Sequence, residues 1–482
     1  MVLIILAAIA GALLYRPSAG PKPQEAEEEE AGFEFNNYPA SSGERDNNEP
    51  TVAINPTDPN NIVAAANDYN TPEGVPWVGF YTSFDGGQTW TEGMVPGFPG
   101  DSGIHELTGF EGAGDPVLAT SSNGDFYLAG IAFKRASNPL NPIGFGLNLG
   151  RSSCLFVARS TDNGRTFDEV SIVFTALQSI VNFHDKEWLA VDPNNGNVYV
   201  CWAMFHVMLV SQLAFSRSTD NGQSWSRPLI ISEFESAEMA IQGSAIVVDN
   251  SGNVHVTWID FNQNQVRYAV STNQGQSFPD PVSIAPITPI PRTLPNGNYR
   301  TPTMTMVAVD NSNSNNSGSL YVTWADYSHG DADVFLAYSN DNGNSWDGPV
   351  RVNNDTEGNG FDQFFPAVAV STDGLVHVTF YDRRNDVNNT LLEYWWAISF
   401  DGGQTFPINL QISNTNFNGD YSSDGDKYFI GDYTGVVATN DTVAAVWCDT
   451  REGSENDGDS EIYFAGIPYL EVLELLDLDE IE

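Results

Sequence analysis

Short segments of alternating apolar and polar residues recur along most of the chain. Residues 366–382, with the sequence PAVAVSTDGLVHVTFYD, hold two such segments on either side of a Thr-Asp-Gly turn. Alternation with a period of two is typical of strands that bury one face, and the short turn indicates that consecutive strands pair. The chain is therefore predicted to be all-β and built from antiparallel strands.

An octapeptide with a fixed pattern occurs six times between these segments. Its first residue is Ser, its fifth Gly, its seventh Ser or Thr and its eighth Trp or Phe, and its third is Asp except for Asn273. The Asp carboxylate can accept backbone N–H groups within a turn, and Gly allows the positive φ that the turn requires. We expect the final ring to be buried between neighbouring repeats. The copies begin at Ser83, Ser160, Ser218, Ser271, Ser339 and Ser399.

Each octapeptide separates the third and fourth strands of a larger unit. Strand pairs like residues 366–382 begin at seven places, and the last unit lacks a fourth strand, which residues 33–37 resemble. The pattern predicts a β-propeller of seven four-stranded antiparallel blades, closed by an N-terminal strand at residues 33–37. Six blades are the alternative. The pairs begin near Pro50, Pro116, Glu187, Ser244, Pro302, Pro366 and Tyr433.

The two ends of the chain differ from the repeats. Residues 2–15 are uninterruptedly apolar but shorter than a membrane span, which predicts an export signal over residues 1–20, with an uncleaved anchor as the alternative. Residues 21–32 are predicted to form an acidic linker, residues 33–467 the propeller and residues 468–482 an acidic tail. The tail could form an extra strand on the last blade or a short acidic helix that binds a partner, and packing against the propeller is favoured. We expect an extracellular or surface-anchored protein.

The charge of the chain excludes one class of partner. It has 63 acidic and 19 basic side chains and a net charge of -44, so it is predicted not to bind nucleic acid, whose phosphates require Lys and Arg. The hydrophobic fraction of 41% still supplies a large core, and no series of membrane spans is expected. Cys154, Cys201 and Cys448 lie in strand-like runs and are expected to be buried thiols, with a Cys154–Cys201 disulfide as the alternative.

The octapeptide turns leave the opposite face of a propeller for binding. In an up-and-down blade that face, which we call the mouth, carries the loops between blades and those between strands two and three. A mouth of this kind is the default ligand site of the fold. Candidate residues near the axis are those just before each first strand, with Lys186 and Asp432 predicted to bind substrate: Glu49, Asp115, Asp185, Lys186, Arg300, Asp362, Gln363, Asp432 and Tyr433.

Several motifs resemble one known group of proteins. The octapeptides, together with DKEWLAVD from Asp185, FYDRR from Phe380 and FIGDYTG from Phe429, resemble the Asp-box, or BNR-repeat, sialidase-like β-propellers over about residues 33–467. The resemblance implies an exported glycoside hydrolase that acts on glycans and requires no cofactor. It also implies that the octapeptides are structural turns on the face opposite the active site.

The resemblance further implies roles for individual residues. Such sialidases hold a substrate carboxylate with three arginines, use a Tyr paired with Glu as nucleophile, and use an Asp as acid/base. Comparison of the repeats favours another role for two of the arginines, as hairpin ion pairs of Arg384 with Glu393 and Arg451 with Glu461. The implied assignments are Arg300, Arg384 and Arg451 as clamps, Tyr433 as nucleophile, Glu187 as its partner, and Asp185 or Asp382 as acid/base.

Two alternatives stay open at this stage. Short Asp-x-Asp pairs at Asp331, Asp424 and Asp457 could supply oxygen ligands to Ca²⁺, although solvated polar loops are the favoured explanation. No HExxH motif is present, so zinc is not expected. The mouth could also serve a non-catalytic propeller that binds a glycan or a protein, or a surface scaffold.

Overall fold

The computed structural model describes residues 34–134, 153–175, 182–206, 210–233, 240–422, 428–455 and 458–476. The predicted signal and acidic linker lie outside these residues. From Phe35 onward the chain forms one compact unit of seven antiparallel sheets, which are the blades of a propeller. Within the described ranges no helix has the length and apolar character needed to cross a membrane. The prediction of an all-β, seven-bladed propeller is confirmed.

The first four blades follow one another along the chain. In each blade the four strands pair in chain order. A short strand, β1 (Tyr38–Pro39), precedes them and belongs to the last blade. Blade 1 comprises β2 (Asn47–Asn55), β3 (Asp58–Asp68), β4 (Trp77–Ser83) and β5 (Thr91–Met94), and blade 2 comprises β6 (Gly112–Thr120), β7 (Phe126–Phe133), β8 (Ser153–Ser160) and β9 (Glu169–Thr175). Blade 3 comprises β10 (Asn182–Val191), β11 (Val198–His206), β12 (Val210–Ser218) and β13 (Leu229–Ile230), and blade 4 comprises β14 (Ile241–Val248), β15 (Val254–Asp260), β16 (Gln265–Ser271) and β17 (Val282–Pro286).

The remaining three blades complete the ring. A short strand, β26, pairs with the third strand of blade 6, and a 3₁₀ helix (Gly419–Tyr421) follows it. Helix α1 (Tyr469–Leu475) comes after the last strand. Blade 5 comprises β18 (Met306–Val309), β19 (Leu320–Asp326), β20 (Asp333–Ser339) and β21 (Asp347–Arg351). Blade 6 comprises β22 (Gln363–Val370), β23 (Val376–Asp382), β24 (Leu391–Ser399), β25 (Ile408–Gln411) and β26 (Phe417–Asn418). Blade 7 comprises β27 (Gly435–Ala438), β28 (Val443–Asp449) and β29 (Glu461–Ile467), and β1 is its fourth strand.

The ring closes through the N-terminal strand, as predicted, but not at residues 33–37. Strand β1 pairs with β29, with Tyr38 opposite Phe464 and Pro39 opposite Tyr463. Instead, the side-chain amide of Asn37 donates to the carbonyl of Ile412 at 2.9 Å. Asn37, the residue just before β1, is therefore directed towards blade 6. Closure satisfies the edge of the last blade, which would otherwise expose unpaired backbone groups.

The octapeptides form hydrogen-bonded turns, and their last ring is buried in two copies, at Phe167 and Phe406, and half-buried in the other four. In the first copy the hydroxyl of Ser83 accepts from Gly87 N (2.8 Å), and Asp85 accepts from Thr89 N (2.9 Å). The final ring packs on the third strand of the preceding blade, with centroids 4.8 to 5.3 Å apart. The turns therefore tie successive blades together. The pairs are Trp90 with Phe464, Phe167 with Phe80, Phe278 with Phe215 and Trp346 with Tyr268.

Apolar clusters fill the spaces between blades. One joins blades 1 and 2 around Trp77 and Phe126, and equivalent clusters follow around the ring. Cys154, Cys201 and Cys448 are buried and free, which confirms that no disulfide framework is present. The tail begins as helix α1, whose Tyr469 ring lies 4.8 Å from the His377 ring of blade 6.

Candidate functional site

A bulge near the start of the first strand places side chains at the axis. The register shifts there in the first strands of blades 1, 2, 3, 4 and 6. In each case one bulge residue has positive φ: Glu49 (56°), Asp115 (58°), Lys186 (51°), Gly243 (64°) and Phe365 (51°). Left-handed φ costs a residue other than Gly or Asn about 1 to 2 kcal/mol, and such strain persists where the surrounding contacts impose it. Three of these positions carry charged side chains.

Lys186 joins three blades through its ammonium group. Its Nζ lies 2.6 Å from Glu49 Oε1, 3.0 Å from Asp115 Oδ1 and 2.9 Å from Asp432 Oδ2. Burial alone would lower the pKa of Lys186, but Asp115, Asp432 and Glu49 raise it well above its ordinary value. Lys186 is therefore charged, and it compensates carboxylates that come from blades 1, 2 and 7.

Arg300 adds a second cation from the long connection between β17 and β18. Its Nε donates to Asp432 Oδ1 at 2.6 Å, and its guanidinium lies over the ring of Phe429 at 4.5 Å. The Arg300 side chain is 36% exposed, against 5% for Lys186 and 4% for Asp432. Arg300 is therefore the most accessible of the charged groups that pair with Asp432. We refer to Glu49, Asp115, Asp185, Lys186, Arg300 and Asp432 as the Lys186 cluster.

Asp185 and Asp115 have pKa values that move in opposite directions. Burial, followed by the charge of Asp115, raises the pKa of Asp185 to about 7. Burial would also raise the pKa of Asp115, but Lys186 and hydrogen bonds from Glu49 and Asp185 lower it below its ordinary value. Gln242 of blade 4 donates to Asp185 Oδ2 at 3.1 Å. One carboxyl group of the pair therefore holds a proton near neutral pH while the other is ionised, an arrangement suited to acid/base chemistry.

Tyr433 and Glu187 lie beneath this cluster and are buried. The Tyr433 hydroxyl donates to the carbonyl of Pro116 at 3.0 Å, and its ring meets that of Trp188 edge-on at 5.6 Å. Burial raises the pKa of Tyr433 well above its ordinary value, and nearby carboxylates, Glu187 among them, add to this. Glu187 is 1% exposed, and neither of its carboxyl oxygens has a hydrogen-bond partner among the described residues. Burial raises its pKa as well.

The other two arginines and Asp382 lie outside the Lys186 cluster. Arg384 pairs with Asp382 at 2.6 Å and lies over the Trp395 ring, and Arg451 pairs with Asp449 at 2.7 Å. The predicted pairs with Glu393 and Glu461 are therefore wrong. The reason is local, because each Asp at the end of a second strand also accepts the backbone N–H two residues later, and this turn directs the arginine back onto it.

The two predicted partners use other donors. Glu393 accepts from the side chains of Asn385 (2.8 Å) and Trp395 (3.0 Å). Glu461 accepts from Ser41 and from Asn47 (3.2 Å), so it lies at the seam where the ring closes. Burial raises the pKa of Asp382 to about 6, with Arg384 opposing the shift.

Two axial residues were not predicted. The ring of Trp188 packs against the apolar clusters of several blades, which places it at the axis below Lys186. Gln242 holds Asp185 from the next blade. Aligning the repeats would have shown Trp188, because it follows the bulge where Thr51, Val117 and Ala367 stand in other blades. No local pattern indicates Gln242.

Candidate metal ligands do not gather in the described part of the chain. No group of three or more His, Cys, Asp or Glu side chains there is arranged to hold an ion. Asp333 is paired with Arg351 at 2.7 Å, and Asp424, Asp426 and Asp457 lie outside the described residues.

Comparison with known proteins agrees with the repeats. The model of the BNR/Asp-box repeat matches residues 81–92, which span the first octapeptide. The chain is thus a seven-bladed β-propeller with six octapeptides, the first of which matches the BNR/Asp-box repeat. No curated protein matches the chain.

Solved structures that resemble the chain include proteins of different described activity. A protein of unknown function from Dyadobacter fermentans is 13% identical with a TM-score of 0.47, covering 90% of this chain and 98% of that one. The NanB sialidase from Streptococcus pneumoniae is 10% identical with a TM-score of 0.48, and the match covers 78% of this chain and 70% of that one. An ulvan lyase, which is a polysaccharide lyase, is 13% identical with a TM-score of 0.49, and the match covers 88% of this chain and 95% of that one.

Proposed function

We propose that the protein is an exported glycoside hydrolase that acts on glycans at the mouth of the propeller, with the Lys186 cluster as its reaction centre. The observation that carries the proposal is the pair of Asp185 and Asp115. Asp185 is partly exposed and has a pKa raised to about 7, whereas the pKa of Asp115 is lowered. Opposite shifts in neighbouring carboxyl groups supply one proton donor and one carboxylate near neutral pH, the two kinds of group that glycosidic cleavage uses.

In this proposal each charged group has a distinct part. Protonated Asp185 donates to the leaving oxygen as its bond to the anomeric carbon breaks, and ionised Asp115 or Asp432 faces the positive charge that develops on the sugar. Water then adds to the anomeric carbon and returns a proton to Asp185. Arg300 is exposed enough to contact a substrate group, but it would have to share its guanidinium with Asp432. Lys186 holds the carboxylates in place.

A sialidase-like specificity is the narrower form of the proposal. It rests on Arg300 for the substrate carboxylate and on Tyr433, with Glu187, as nucleophile. Arg384 and Arg451 are bound to Asp382 and Asp449, so a clamp of three arginines would need both pairs to open. The Tyr433 hydroxyl would also have to leave the Pro116 carbonyl. These two requirements favour a glycan that contacts one guanidinium or none over a substrate whose carboxylate is held by three.

A non-catalytic glycan-binding propeller is the second candidate. It is favoured by one observation, that the cations of the Lys186 cluster are already paired with carboxylates of the same cluster. Such a cluster can be explained as a structural tie between blades.

Turnover of a panel of sialosides and neutral glycosides between pH 4 and pH 9 tests the proposal. The Asp185→Asn variant should lose about 100-fold or more in kcat, because general acid catalysis contributes about that much. Wild-type activity should fall as pH rises through about 7, where Asp185 loses its proton.

Asp220→Asn on the octapeptide face is the matched control and should retain wild-type turnover, since Asn273 occupies the same position in another copy. Wild-type protein that binds glycans but cleaves none would support the binding alternative. Equal activity of the Asp185→Asn variant and the wild type would exclude Asp185 as the acid.

A further inference from the structure

A second concave site lies outside the Lys186 cluster, between blades 5 and 6. It is a cavity of about 400 Å³ bounded by the β19–β20 loop, the β21–β22 connection and the β23–β24 loop. Pro295 and Asn296, from the connection between β17 and β18, form its remaining side. Loops between second and third strands and connections between blades both belong to the mouth face of a propeller. The cavity therefore opens on the face that the octapeptides do not occupy.

The walls of this cavity are held together by hydrogen bonds, two of which are buried. Arg383, which is 0% exposed, donates to the carbonyls of Pro295 (2.9 Å) and Asn389 (3.0 Å). The Asn389 amide donates to Asp362 at 2.7 Å, and that of Asn296 donates to the carbonyl of Asn388 at 2.9 Å. The cavity is therefore formed before any ligand arrives, which lowers the entropic cost of binding.

The cavity offers acceptors, amides and one phenol. Its lining includes Asp331, Asp362, Tyr327 and several Asn side chains, and it contains neither Lys nor Arg. Gly330 and Gly360 also line it, and a Cβ added at either would meet no atom within 4 Å, so the backbone there is open to a ligand. A lining without cations disfavours phosphate, sulfate and carboxylate ligands.

Asp331 supplies an acceptor that the protein itself does not use. The residue is 3% exposed, and its Oδ2 accepts from Gly360 N at 2.6 Å. Its Oδ1 is buried and has no hydrogen-bond partner among the described residues. A buried acceptor left without a donor is unfavourable, and a ligand hydroxyl that reaches it would supply the missing hydrogen bond. Burial raises the pKa of the Tyr327 phenol, and the nearby charges of Asp362 and Asp331 add to the shift.

We propose that this cavity binds a neutral saccharide unit, with Asp331 accepting a sugar hydroxyl and Tyr327 contacting the ring. Paired carboxylate and amide acceptors suit a ligand with several hydroxyl groups, and an aromatic side chain suits the apolar face of a sugar. A metal ion is the less suitable occupant, because the described residues contain no group of three ligating side chains. The proposal depends on the lining of the cavity and not on catalysis at the Lys186 cluster, so the two can fail separately.

Calorimetric titration with maltotriose, cellotriose, mannotriose and xylotriose tests the assignment, with sialyllactose as the acidic comparison. Protein from a host without N-glycosylation is required, because Asn388 at the cavity begins an Asn-Asn-Thr sequence. At least one neutral trisaccharide should bind with a millimolar or lower Kd. Tyr327→Ala should raise that Kd at least tenfold, and Asp331→Asn should raise it several-fold, because one acceptor becomes a donor.

A control on the opposite face shows whether an effect belongs to this site. Phe84→Ala, which removes an exposed ring from the octapeptide face, should leave the Kd unchanged. Thermal unfolding of every variant establishes that it is folded. The proposal is overturned if no neutral trisaccharide binds, or if Tyr327→Ala and Asp331→Asn both bind as the wild type does.

Discussion

Carboxylates on the two faces of this propeller are in opposite states. On the octapeptide face, Asp85 accepts from the hydroxyl and backbone N–H of Thr89, and these bonds lower its pKa to about 2. Asp220 in another copy has the same environment, and its pKa is also lowered to about 2. At the mouth, burial and the neighbouring Asp115 raise the pKa of Asp185 to about 7. The residue type is the same, and the supply of donors and water makes the difference.

Acidic side chains in the turns and those near the axis differ in which groups surround them. A turn Asp is surrounded by donors from its own octapeptide, so it can recur in any blade without affecting its neighbours. The acids near the axis number five, namely Glu49, Asp115, Asp185, Glu187 and Asp432, whereas Lys186 and Arg300 are the two cations among them. Since the charges cannot balance, some of these carboxyl groups stay protonated. An excess of acidic over basic side chains suits a site that transfers protons, whereas a structural turn Asp has donors enough to remain ionised.

Removing the central cation should have the largest effect. Lys186→Met leaves Glu49, Asp115 and Asp432 without their shared ammonium, and breaking a buried ion pair by removing one partner costs about 3 to 5 kcal/mol. Urea denaturation at pH 7 measures the loss. Lowering the pH to 5 should recover part of it, because protonation relieves the repulsion among the remaining carboxylates.

The matched control for Lys186→Met lies on the octapeptide face. Arg165 is exposed and its guanidinium lies over the ring of Phe84 at 4.2 Å, so Arg165→Met should change the free energy of unfolding by less than about 0.5 kcal/mol. If the two variants lose similar stability, Lys186 does not hold the cluster together and the contrast between the faces fails.

Replacing the unpartnered acid should stabilise the protein, by an amount that grows with pH. Glu187 has its pKa raised in the folded state, so its favourable contribution is complete below about pH 4.5 and is lost as pH rises towards the folded pKa. Glu187→Gln removes that dependence and should add about 1 to 3 kcal/mol at pH 8 and little at pH 4.5. Urea midpoints at four pH values between these limits measure the slope.

Glu73→Gln serves as the control for this slope, because Glu73 is exposed on a loop of blade 1. It should shift the urea midpoint by the same small amount at every pH. A Glu187→Gln variant that is less stable than the wild type at pH 8 would show that Glu187 has a donor in solution and is ionised.

The fold was more predictable from sequence than the site, for a physical reason. The octapeptide is held by bonds among its own residues, so eight letters suffice to locate each turn. Residues of the Lys186 cluster could be listed, because they precede first strands and occur in single blades. Their pairing could not be predicted, since the bond from Arg300 to Asp432 of blade 7 depends on the path of the long connection between blades 4 and 5. The positive φ at Lys186 and Glu49 likewise has no sequence pattern in residues of those types.

The smallest effect is expected for a single turn on the octapeptide face. Asp85→Ala removes the acceptor for Thr89 and should cost about 1 kcal/mol, the usual cost of losing a side-chain cap. Asp85→Asn should cost almost nothing, because Asn273 accepts the backbone N–H of Ser277 (3.0 Å) and donates to its hydroxyl (2.9 Å) in the same way. The lowered pKa of Asp85 makes its contribution complete above about pH 4 and lost as pH falls towards 2. Acid unfolding of the two variants should therefore differ from the wild type in opposite senses: Asp85→Asn keeps the turn at pH 3 where the wild type begins to lose it, and Asp85→Ala lacks it at every pH.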